Sequence, residues 1–74
     1  MKINFSDHAL LKIKQRNLAK ERVIEVVDHP ERREVSYNGR YLAEKNFGKL
    51  NLRVIYKQED RMITIITAYW HERK

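Results

Sequence analysis

The stretch "LNLRVIYKQEDRMITIITAYW", Leu50 to Trp70, decides how this chain folds. Two runs rich in β-branched and aromatic residues flank the polar "QEDR", the pattern of a β-hairpin. With Glu59-Asp60 as a two-residue loop, Tyr56 faces Ile63, Val54 faces Ile65 and Leu52 faces Thr67. One face then carries Leu50, Leu52, Val54, Tyr56, Ile63, Ile65, Thr67 and Tyr69. The other carries Asn51, Arg53, Ile55, Lys57, Met62, Thr64, Ile66 and Ala68. The first face is apolar enough to lie against helices. The second is half polar and partly basic, and a loop one residue longer would exchange the faces of one strand.

Upstream, "NFGK" around Gly48 offers another turn, and Asn38-Gly39 in "YNGR" offers a third, since both residues tolerate positive φ. The sequence therefore predicts four antiparallel strands, at about 33–37, 40–46, 50–57 and 61–70. Ahead of them the period changes. After a short extended start, Ile3 to Phe5, Ser6 is placed to cap a helix whose apolar stripe is Ala9, Leu10 and Ile13. Asn17 suits the left-handed residue that ends such a helix. A second helix, about Ala19 to Asp28, buries Val23, Ile24, Val26 and Val27 and is stopped by Pro30. The expected fold is α+β: two N-terminal helices packed on one face of a four-stranded antiparallel sheet, in a single domain over 1–74.

Sixteen Lys and Arg against ten Asp and Glu give a net charge of +6, which favours an anionic partner, with nucleic acid ahead of an acidic protein. The absence of cysteine excludes disulfides, thiolate metal sites and thiol catalysis. Three scattered histidines, at 8, 29 and 71, lack the spacing of a metal site, and His29 before Pro30 reads as a helix-end residue. No cofactor is expected. No apolar run approaches the ~20 residues of a membrane span, and "MKINFSDH" lacks a signal peptide's apolar segment. The expected setting is cytoplasmic, away from membranes.

"FSDHALLKIKQRNLAKERVIEVVDHP" and "LRVIYKQEDRMITIITAYW" together resemble the family known as domain of unknown function 4258. The likeness lies in His-Ala after a short strand and a basic pair one helical turn apart. It continues in a second helix ended by proline and in L-x-V-x-Y and I-x-I-x-T strands with an aromatic end. It runs from roughly Phe5 to Trp70. Asn17 stands where glycine is usual, and Ala19 where a Ser or Thr cap is usual. The family is grouped by fold with the RelE/ParE-like toxins of bacterial toxin–antitoxin pairs. That resemblance implies two helices on an antiparallel sheet and an RNA endonuclease, ribosome-dependent or free, or a relative that only binds.

Metal-free RNA cleavage needs a base for the 2′-hydroxyl, positive charge for the phosphorane and a proton for the leaving oxygen. His8, Lys12 and Arg16 fall within an arc of about 80° on the first helix. Arg53 has core neighbours on both sides and must emerge on the open face, to meet phosphate or to pair with Glu44. His8, Tyr69 and Arg53 are the candidate catalytic residues. Lys12, Arg16, Arg40, Lys57, His71 and Arg73 are the candidate nucleic-acid contacts. For His8 and Lys12 the plainer reading is a solvated helix face; for Tyr56 it is core. The partners expected are RNA or the ribosome, with a small antitoxin protein.

Overall fold

The computed structural model describes residues 2–72. They form β1 (Lys2–Phe5), α1 (Asp7–Gln15), α2 (Lys20–Asp28), β2 (Arg32–Val35), β3 (Arg40–Phe47), β4 (Leu50–Glu59) and β5 (Met62–Glu72). The strands make one five-stranded mixed sheet in the order β1-β5-β4-β3-β2. This corrects the expected four-stranded antiparallel sheet with the helices leading the chain. The extended start is a strand in its own right, and Ile3 and Phe5 pair in parallel with Ile63 and Ile65. Parallel pairing needs no connecting turn between partners, so nothing local in a four-residue segment announces a mate sixty residues away. Both helices follow that strand and connect it to β2.

Each helix is shaped by its ends. The Ser6 hydroxyl accepts from the Ala9 N–H at 3.0 Å, and Asp7 lies in the first turn, so α1 starts where the sequence places it. At its far end Asn17 takes φ 54°, Leu18 N–H reaches the Ile13 carbonyl and Asn17 N–H the Lys14 carbonyl. That pair of bonds is a Schellman cap, and its apolar partners Leu18 and Ile13 are both buried. Ala19 provides α2 with no side-chain cap. Val23, Val26 and Val27 hold that helix instead, by burial against the sheet.

The core fills the space between the helices and one face of the sheet. Ala9, Ile13, Val23, Val26 and Val27 meet Ala43, Leu52, Val54, Tyr56, Ile63, Ile65 and Ala68. Tyr56 is fully buried and stacks on Tyr41 at 5.6 Å between centroids. Burial pushes its phenol above the ordinary value, with Arg33 pulling the other way.

The β4–β5 hairpin departs from expectation twice. Glu59 pairs with Met62, so the loop is Asp60-Arg61, with Asp60 at φ 53°, and Tyr56 lies opposite Ile65 rather than Ile63. A register shift then follows. Ile55 lies opposite Thr67, which leaves Ile66 as an extra residue, a β-bulge. Ile63 and Ile65 face the helices as expected. Beyond the bulge the phase inverts, so Ala68 and Trp70 turn inward while Thr67, Tyr69 and His71 turn to the open side. Trp70 packs edge-on against Phe47, 6.2 Å between centroids.

Candidate nucleic-acid interface

Among the described residues no helix covers the second face of the sheet, and strand alternation arranges its side chains in rows that run across the strands. At the end where the chain leaves β5, one row is Asn46, Asn51 and His71. The next is Arg32, Glu44, Arg53 and Tyr69, one residue from each of β2, β3, β4 and β5. An apolar-centred row follows, Glu34, Leu42, Ile55 and Thr67. Next come Arg40, Lys57, Thr64 and Asn4, and beyond them, at the hairpin end, Glu59, Met62 and Lys2.

Glu44 is the hub of the second row. Only 6% exposed, it accepts from Arg53 Nε at 2.8 Å and from Asn51 Nδ2 at 3.1 Å, and Arg32 Nε lies 3.5 Å from its other oxygen. Burial alone would push this carboxyl up. The bonds from Arg53 and Asn51 and the charges of Arg53 and Arg32 outweigh it, and the group sits below its ordinary value. Arg53 is held charged chiefly by that bond to Glu44, against some desolvation, with the Tyr69 phenol as a further partner. Only Nε enters the bond to Glu44, so the carboxylate fixes the guanidinium by its stem side and leaves the outer edge beside Tyr69. Asn46 extends the network, donating to Asn51 Oδ1 at 2.8 Å and to the Gly48 carbonyl at 2.9 Å.

The candidate residues therefore separate into groups. Arg53, Tyr69 and His71 come together on the open face, with Asn51 completing the patch. Tyr69 does so because of the bulge; the expected register had placed it against the helices. Arg40 and Lys57 share the opposite end of that face. Arg16 leaves the end of α1 and donates through Nη1 to the Ala68 carbonyl at 2.6 Å and to Thr67 Oγ1 at 3.3 Å. It thus covers the edge of β5 beyond the reach of β1 and next to Tyr69. His8 is exposed at the start of α1 and Lys12 is half-buried one turn on. Among the described residues no hydrogen bond or ion pair joins either to Arg53 or Tyr69. Arg73 lies outside the described residues.

Sequence reasoning placed Glu44 only as a partner for Arg53 and gave Asn51 no part. Both lie in the outward phase of their strands, next to Arg53 in the pairing, which is the signal that could have found them. No group of His, Cys, Asp and Glu able to hold a metal ion occurs among the described residues, and none of their helices is long and apolar enough to cross a membrane.

Residues 5–70 match the family described as Domain of unknown function (DUF4258), and the chain belongs to that family. No curated protein and no solved structure matches it significantly.

Proposed function

From that family membership we propose that the domain is a small toxin-type protein of the RelE/ParE-like kind that binds RNA on its open sheet face and cleaves it without a metal. The observation that carries this reading is the patch of Arg53, Tyr69 and His71, in which a guanidinium fixed by a buried carboxylate stands beside a phenol and an imidazole. Arg53 is the charge that neutralises the attacked phosphate. His71 takes the proton of the 2′-hydroxyl as that oxygen bonds to phosphorus. The bond from phosphorus to the 5′-oxygen breaks, and Tyr69 protonates the departing oxygen, leaving a 2′,3′-cyclic phosphate and a 5′-hydroxyl. His8 is a second candidate for the proton-carrying role.

The test is cleavage of end-labelled RNA, free and ribosome-bound, in excess chelator. Arg53→Gln is expected to lower the rate by about 10²-fold or more, the usual effect of removing a preorganised charge. His71→Gln set against His8→Gln assigns the base. RNA left whole across a broad substrate set sinks the catalytic reading.

A second reading is favoured by the structural duties of two of the cations, Arg53 on Glu44 and Arg16 on the Ala68 carbonyl. In that case the same face binds nucleic acid, or the acidic part of a partner such as an antitoxin, and does no chemistry. Binding that weakens steeply with salt while no cut appears selects it.

A further inference from the structure

Arg40 and Lys57 lie directly opposite each other on β3 and β4. Paired positions of this kind bring Cβ atoms to roughly 5 Å, and like charges there are destabilising. Neither cation is neutralised within the row, whose other members are Thr64 and Asn4. Among the described residues Lys57 has only Glu59 as an ion-pair partner, at 3.5 Å and well exposed, on its own strand. Arg40 carries a second cost: its Nε is buried and has no hydrogen-bond partner, the one such side-chain atom among the described residues. A buried donor left unmatched beside a second cation is an arrangement that an anion resolves, because one oxyanion accepts from the guanidinium and screens both charges.

We propose that Arg40 and Lys57 form a phosphate subsite distinct from the Arg53 patch, and that the ligand reaching both is single-stranded RNA. The inference rests on the RNA-binding reading for its ligand, and on Arg40 and Lys57 alone for the anion. The rows are four residues apart along β3 and β4, about 13 Å at roughly 3.3 Å per residue. Between them lie buried Leu42 and half-buried Ile55, an apolar strip with Thr67 at one end and Glu34 at the other, so the surface open to a base is that of Ile55. A duplex keeps its base faces stacked inside, whereas a single strand can lay a base on such a strip while its backbone spans both cation sites.

Two measurements test it. In the first, inorganic phosphate is titrated into the protein while the Arg40 Nε–H resonance and the melting temperature are followed. A saturable shift and a raised melting temperature are expected, both lost in Lys57→Gln. The variant without ligand should melt higher than the parent, because the like-charge pair is gone. An Arg40 resonance indifferent to phosphate overturns the subsite, whatever the protein does with RNA. In the second, labelled oligoribonucleotides of two and eight nucleotides are bound to the parent, to Arg40→Gln/Lys57→Gln and to Arg53→Gln. The Arg40/Lys57 double variant should lose about tenfold or more in affinity for the eight-mer, with its salt slope reduced by about 1 to 2, and little for the dinucleotide. Arg53→Gln should weaken both. Equal losses at both lengths, or an eight-mer duplex bound as well as the single strand, overturn the two-site ligand. A parent that takes phosphate at Arg40 but binds no RNA leaves the subsite standing and removes the RNA reading.

Discussion

Strand β4 turns Leu52, Val54 and Tyr56 to the helices and Asn51, Arg53, Ile55 and Lys57 to the open side. On the covered side, specificity comes from shape, and every large group is matched by a neighbour. On the open side, polar groups sit on a sheet already held by its other face. There, charge can be placed for a ligand rather than for the fold, and an awkward pair such as Arg40 and Lys57 can be carried. Glu44 is the exception among those polar groups. Like Leu42 on the same strand, it sits on the open side but is buried like a core residue, and it belongs to both.

The largest expected effect tests the covered side. Leu52→Ala, which empties a fully buried site, should cost about 3 kcal/mol in urea denaturation, whereas Ile55→Ala should cost about 1. Equal costs would mean that the second face is covered as well, for instance by another copy. Next comes the residue shared between the sides. Glu44→Ala leaves Arg53 and Arg32 facing each other without their carboxylate and should cost about 3 kcal/mol, the scale for breaking a largely buried pair. A loss below 1 would make Glu44 part of the ligand surface only.

Acid should sharpen the same point. The carboxyls of Glu44, and of Glu25 through its hydrogen bond from Lys45, lie below the ordinary 4.5 in the folded chain. The unfolded chain therefore takes up protons first as pH falls. Their contribution is whole above that value and is lost as pH drops through their lower folded values. Glu44→Gln should flatten the acid limb of the stability curve, measured by melting from pH 6 down to about pH 2. The smallest effect concerns the helix layer alone: Ala19→Ser gives α2 the cap it lacks and should raise stability by about 0.5 to 1 kcal/mol, with no change in RNA binding.

Most of what is local could be read from the sequence. Ser6, Asn17, Asn38-Gly39 and Pro30 act within a few residues of themselves, and each does what its chemistry prescribes. What escaped was set at a distance. The pairing of Lys2–Phe5 depends on Met62–Ile65. The inversion of β5 depends on one surplus residue, whose only trace is the doublet Ile65-Ile66 breaking an otherwise regular alternation. That doublet decides on which side Tyr69 emerges, so strict alternation put this candidate residue on the wrong face. Arg53 was legible because its neighbours Leu52 and Val54 fix its direction without reference to any other strand.

The place of β5 between β1 and β4 has a consequence for the order in which the domain can form. The first strand and α1 have their main partner in the strand synthesised last of the five. While the chain is being made, β3 and β4 can close as a hairpin, but the opening fifteen residues have nothing to settle on until Ile63–Ala68 has emerged. Such long-range closure is slow compared with hairpin or helix formation. The open-face patch shares that delay, because Tyr69 and His71 take their places beside Arg53 and Asn51 only when β5 docks.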